Sequence, residues 1–332
     1  MQAGASRNDS AFVQQAVDRA TGTALQGNSR SAAKILSEVP AEDFSGDLAS
    51  FRACMVGRFL DPPQPAAELN ISEPWVASLA RLYLTYWHRA LTEVETRVEA
   101  ENELVAGIGK LLDHPLRNAS DLDSVGDEVK TQAYKRGFHA LLGTTAPLRE
   151  LMLWKKESVE ERKVQLPEGP YSVKVSFLDD FVVRGWGYYA TCGRRSAGGW
   201  ATDDGLFAIV PAYKSLSDET FSVRFLAHET QHFADKHRFG NLESWELEYR
   251  AKLVELALAN ESQASTLTRI CENRGDDKNT PHAYANSRVV HDIDLGLNLA
   301  GRSSICEGPR VPGNVVRKVA RAVLMEDSKK RR

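Results

Sequence analysis

Between Phe225 and Phe233 the chain reads Phe-Leu-Ala-His-Glu-Thr-Gln-His-Phe, which sets two histidines four residues apart with a glutamate directly after the first. On a helix that spacing stacks side chains one turn above another, about 6 Å apart, so the imidazoles of His228 and His232 can share one zinc ion. Glu229 falls beside the pair and is not a ligand. A carboxylate there can take a proton from a water that the metal has acidified and hand it to a leaving group. The same five letters also occur in helices whose polar face meets only water, so the surrounding elements decide.

Those elements begin with a helix predicted from Ser217 to Gly240. Ser217 is the expected N-cap, Asp218 and Glu219 lie where the helix dipole favours negative charge, and Gly240 takes the usual C-terminal position. The histidine pair therefore lies well inside a helix.

Two histidines leave a catalytic zinc one protein ligand short. The next predicted helix, Leu242 to about Asn260, can supply it. Projected at about 100° per residue, Glu248, Lys252 and Glu255 form a stripe between two apolar borders, Leu247, Ala251, Val254 and Leu258 on one edge and Trp245, Tyr249, Leu253 and Leu256 on the other. Glu243, Glu246, Arg250 and Ala257 take the opposite side, which is expected to face water. A charged stripe between apolar borders then points inward, where charge needs a partner or a metal. Glu248 is the expected third ligand, with Lys252 and Glu255 paired behind it. Glu255, two turns on along the same face, is the alternative ligand, and a salt-bridged stripe without metal is the alternative to both.

His228-Glu-Thr-Gln-His232 followed by Glu248 on a later helix resembles the zincin metallopeptidases of the gluzincin type. The resemblance covers roughly 170–260 and implies zinc bound by His228, His232 and Glu248, with Glu229 as general base and acid in peptide hydrolysis. It departs from that pattern in a shorter interval between His232 and Glu248, and in Lys252 where an Asp often stands. Such sites also need a donor for the oxyanion formed at the substrate carbonyl. His282 and Tyr284 are the first choices, because the polar stretch Asn273–Thr280 can return the following segment over the site. Tyr249 and His291 are the other candidates. An extended peptide is expected along an edge strand, with Leu206–Val210 the candidate.

The rest of the chain bounds the setting. Its 332 residues are 42% hydrophobic and 26% charged, a globular composition, and a net charge of -3 gives no basic field for nucleic acid. No apolar run is long enough for a membrane span, and no leader-like order heads the chain. The expected compartment is the cytoplasm for a chain that begins here, or an exported one if a leader has been removed. Cys54, Cys192, Cys271 and Cys306 make no Cys-x-x-Cys module, and Cys271 with Cys306 is the pair able to bridge.

Residues 1–10 are small and polar and are expected to be disordered, and 11–163 reads as a helical domain with turn signals at Pro62, Pro63, Pro65 and Pro115. His88, His114 and His139 fall there without partners at ligand spacing. Strands are predicted over Tyr171–Phe177, Phe181–Tyr189 and Leu206–Val210, with Asp179 and Asp180 as a turn. Asn314–Met325 is a basic amphipathic helix, and Lys329–Arg332 a solvated tail. The predicted fold is α+β: a helical N-terminal domain, then a zincin-like domain at 166–332 built from a small sheet of three to five strands, the histidine helix and the Glu-bearing helix. The expected partner is a peptide or protein substrate, with the N-terminal helices binding a protein or covering the cleft. A zinc hydrolase of a non-peptide amide or ester, and a non-catalytic helical interaction protein on a zincin-like scaffold, are the alternatives.

Overall fold

The computed structural model of the chain describes residues 5–60, 70–298, 304–307 and 311–331. Expectations for 1–4, Pro62, Pro63, Pro65 and Arg332 lie outside them. The chain forms two compact units, one of Met1–Glu157 with Leu178–Ala197, the other of Ser158–Phe177 with Gly198–Arg332. The backbone therefore passes between units three times, within two strands and after Ala197, where a single boundary near 163 was expected.

The first unit opens with α1 (Ala5–Leu25), which starts before the expected Ala11, and continues with α2 (Ser29–Ser37), α3 (Gly46–Phe59), α4 (Pro74–Thr92), α5 (Arg97–Leu111), α6 (Ala119–Ser124) and α7 (Gly126–Tyr134). Helix α4 shows why these segments fold. Glu73 caps it by accepting from the Val76 N–H at 2.7 Å, and Pro74 occupies the first helical position, where no N–H is needed. Val76, Leu79, Ala80, Tyr83, Trp87 and Ala90 make the buried stripe. Phe59, Met55, Leu36, Trp87 and Leu104 meet in the core of this unit.

The helical reading fails after Tyr134. The chain forms β1 (His139–Thr145) and β2 (Leu148–Leu166), antiparallel, with His139 opposite Trp154 and Thr145 opposite Leu148. Lys155–Lys163 is exposed on both faces of β2, so it carries no alternation from which a strand could be read. Strand β3 (Gly169–Arg184) shows the expected alternation at Val173 and Val175, but it runs straight through Asp179 and Asp180. Asp180 adopts a left-handed φ of 57° and Asp179 Oδ1 accepts its N–H at 2.7 Å, which bends the strand without reversing it. Residues expected to end a second strand instead form α8 (Trp186–Ala190). Gly185 before it has φ 89°, and a Cβ there would lie 2.7 Å from Glu150 Oε1.

Strands β4 (Gly199–Thr202) and β5 (Gly205–Ile209) close a hairpin over Asp203 and Asp204, and the sheet order is β1-β2-β3-β5-β4. Leu206–Val210 is therefore no edge. Strand β5 is paired on both sides, and the edges of the sheet are β1 and β4.

The second unit continues with α9 (Glu219–Phe221), a π-helical stretch at Ser222–Ala227, α10 (His228–Phe239), α11 (Ser244–Leu258), α12 (Gln263–Glu272), α13 (Pro281–Gly296) and α14 (Gly313–Lys330). Asp218, not Ser217, caps the start by accepting from the Phe221 N–H, and Gly240 ends α10 at φ 70°. Helix α11 is the centre of this unit, with α10, α13 and α14 around it and every residue from Tyr249 to Ala257 buried. Arg331 is no part of a free tail, since it pairs with Asp327 and with Glu246 at 2.7 and 2.8 Å. Cys271–Cys306 is bridged, and Cys54–Cys192, which the sequence did not single out, is bridged as well; each bond stays within one unit. Among the described residues no helix is long and apolar enough to cross a membrane.

Candidate metal centre

Helix α10 begins at His228, so both histidines lie in its first two turns, directly after the π-helical stretch. Their rings are 4.8 Å apart at 88° to one another. Helix α11 brings Glu248 against them. Its Oε2 stands 3.5 Å from His228 Nε2 and its Oε1 3.4 Å from His232 Nε2. Two ligands about 2.0–2.1 Å from a tetrahedral zinc are separated by about 3.4 Å, so this donor set fits the ion that the sequence implies. Ligating atoms of the three residues all lie within 4.8 Å of one another. Glu248 Oε2 is buried and faces the imidazoles of His228 and His282.

The inward stripe on α11 is present, and it divides the labour of its two glutamates. Glu255 lies on the far side of His228, with Oε1 2.7 Å from Nδ1, and it also meets Lys252 Nζ at 3.0 Å and the Arg269 guanidinium. Glu255 is 1% exposed and Lys252 5%. It thus takes the ring nitrogen that a metal leaves free, which fixes the tautomer and the ring plane. Burial alone would lower the His228 pKa, but Glu248 and Glu255 reverse this and push it up to about 9. Burial would raise the Glu248 pKa, and the imidazoles of His228, His232 and His282 outweigh it and hold the carboxyl far below the usual range. Burial opposes the charge of Glu255 too, and His228 with Lys252 overcomes it in the same direction.

His282, at the start of α13, reaches this cluster with Nδ1 2.7 Å from Glu248 Oε2, while its side chain stays 69% exposed. Tyr284 does not: its ring packs edge-on against Trp245 at 5.1 Å with Lys278 above it. Tyr249 donates its hydroxyl to Asp292 at 2.7 Å, and His291 pairs with the same carboxylate, so neither stands ready as an oxyanion donor. Glu229 is half-buried and, among the described residues, has no hydrogen bond or ion pair. It lies near Tyr213, whose pKa is raised by burial first and by Glu229 second.

Arg250 departs from its expected place in water. It is fully buried and holds Glu168 at 2.7 Å, Asp235 at 2.9 Å and Asp327. Glu168, in the turn between β2 and β3, also binds Arg238 at 2.7 Å and the Ser328 hydroxyl at 2.6 Å, and Gln231 donates to Asp235 at 2.8 Å. This network clamps the back of α10 to α11 and α14. Burial pushes the Asp235 pKa up to about 6 against the pull of Arg250. Nothing in the sequence signals it, because its members come from four separate stretches.

A cavity of about 270 Å³ opens beside the histidines, lined by Ala201, Thr202 and Asp203 from the β4 edge, by His232 and Lys236 from α10, and by Glu248 and Pro281. A larger groove of about 680 Å³ lies between α4 and α5 in the first unit and carries none of the candidate site residues. Compared with protein-family models, with curated proteins and with solved structures, the chain matches none of them.

Proposed function

We propose that this chain is a zinc-dependent metallopeptidase of zincin-like build, with His228, His232 and Glu248 as metal ligands and Glu229 as general base and acid. The observation that carries the reading is the meeting of two imidazole Nε2 atoms with one carboxylate at 3.4 and 3.5 Å, next to a glutamate that has no partner among the described residues. Zinc, when bound, supplies an acidified water and polarises the scissile carbonyl. Glu229 accepts the proton of the attacking water and carries it to the departing nitrogen, a role open to it because no described neighbour holds its carboxylate. His282, exposed and adjacent to Glu248, is the donor for the developing oxyanion. The β4 edge offers backbone groups to an extended peptide, and Ala201 and Thr202 of that strand line the same cavity as His232.

Metal analysis of the purified protein, together with Glu229→Gln, tests this. One zinc per chain is expected in both proteins, with cleavage of casein or a peptide library by the wild type and a loss of roughly 10²–10⁴-fold in the variant. Zinc retained by a wild type that cleaves no peptide would turn the reading towards a hydrolase of another amide or ester, or towards a scaffold. Protein that takes up no zinc would end it.

A further inference from the structure

In the first unit, α3 and segment 184–196 meet along a seam whose cations have no counter-ion among the described residues. Phe51, Cys54 and Arg58 follow one another on a single face of α3. The Arg194 guanidinium lies 5.3 Å over the Phe51 ring, Cys54 is bonded to Cys192, and Arg58 lies 4.7 Å over Tyr189 while donating to its carbonyl at 2.8 Å. Arg184 stacks 4.3 Å over Tyr188 and donates to Ser196 Oγ at 3.3 Å. All three arginines are half-buried, and the Nε atoms of Arg184 and Arg194 are buried with no hydrogen-bond partner. Among the described residues, no carboxylate comes within 4.0 Å of any of them.

Other arginines of the unit find either a carboxylate or a pair of backbone carbonyls. Arg149 meets Glu101 and Asp123, Arg136 meets Glu73, and Arg89 meets Glu103. Arg52 and Arg97 each direct two donors to backbone carbonyls. Charge withdrawn from water without a counter-ion is unfavourable, and a guanidinium flat on an aromatic ring is already oriented to grip a carboxylate through its edge. Phe51 and Arg58 stand seven positions and about 10 Å apart along the helix, so Arg194 and Arg58 do not converge on one point. Side chains on one face of an extended chain repeat about every 7 Å, a spacing that suits cations set apart in this way. The net charge of -3 supplies no long-range attraction for nucleic acid.

We propose that this seam docks an acidic, extended segment of a partner protein, whose carboxylates supply the missing counter-ions of Arg58, Arg184 and Arg194. Fluorescence anisotropy on the full-length protein tests it, using a labelled dodecapeptide of alternating glutamate and serine, the matching lysine peptide and a labelled twelve-nucleotide oligothymidylate. The acidic peptide is expected to bind, to weaken as salt rises, and to lose at least tenfold in affinity in the combined Arg58→Gln, Arg184→Gln and Arg194→Gln variant. The single reversal Arg195→Glu, at an exposed neighbour, is expected to weaken binding several-fold with unchanged thermal unfolding, which keeps the test valid where the triple variant fails to fold. Equal binding by wild type and Arg195→Glu, no binding of the acidic peptide, or tighter binding of the oligonucleotide would each overturn the proposal.

Discussion

Glu255 Oε1 stands 2.7 Å from His228 Nδ1, on the side of the ring opposite Glu248. One helix, α11, thus supplies both the carboxylate that faces the proposed metal position and the carboxylate that holds the far side of the imidazole, seven residues apart.

Replacing Glu255 by Gln keeps the side chain's size and removes the charge that orients His228. Zinc affinity, measured by competition with a chromophoric chelator, is expected to fall roughly 10–100-fold. An unchanged affinity would show that the ring is held by packing alone.

The two proposed oxyanion donors separate cleanly. His282→Ala is expected to keep its zinc and to lose about 10²–10³-fold in kcat, because His282 touches Glu248 from the exposed side. Tyr284→Phe is expected to leave turnover unchanged, since its ring is engaged with Trp245. Steady-state kinetics on a peptide substrate checks both, and a large loss in the tyrosine variant alone would reverse the assignment.

Glu150 gives a pH signature that does not involve the metal centre. It is 6% exposed, accepts the N–H groups of Trp186 at 2.9 Å and Leu151 at 3.1 Å, and burial pushes its pKa up to about 7. A carboxyl whose folded pKa lies above its unfolded value near 4.5 stabilises the protein below that value, and the contribution is lost as pH rises to about 7. Glu150→Gln is therefore expected to gain stability over the wild type between pH 5 and pH 8, by up to about 3 kcal/mol. Urea unfolding of both proteins at the two pH values reads the difference, and parallel behaviour would refute it.

All four cysteines are bridged, so the folded protein is expected to show no thiol towards Ellman's reagent. The bonds Cys54–Cys192 and Cys271–Cys306 join residues 138 and 35 positions apart. In the loop-entropy account their removal as paired Cys→Ser changes costs about 5 and about 4 kcal/mol. Denaturant unfolding of each double variant provides the comparison.

What could be read beforehand was local and periodic. The spacing of His228 and His232, the inward stripe of Glu248, Lys252 and Glu255, and the stop at Gly240 all depend on residues within one or two helices, where helix geometry fixes who faces whom. Arg250 was misplaced because the opposite side of α11 resembles a solvent face, while the carboxylates that bury it, Glu168, Asp235 and Asp327, come from other elements. The edge position of β4 is likewise a property of strand order, which the letters of β5 do not contain. Strand β2 hid itself, since a ribbon wet on both faces has no reason to alternate. The stacking of the seam arginines on Phe51, Tyr188 and Tyr189 is likewise a matter of tertiary contact between α3 and 184–196, which no local spacing contains.

The threefold passage of the backbone between units limits how this protein can be taken apart. A fragment starting at Ser158 would keep the histidine helix, yet it would carry a β3 whose far end, with 178–197, belongs to a body left behind. One protease nick anywhere in the chain likewise leaves the two halves tethered by remaining strands. Simple truncation thus leaves neither unit whole, and the proposed activity belongs to the intact polypeptide.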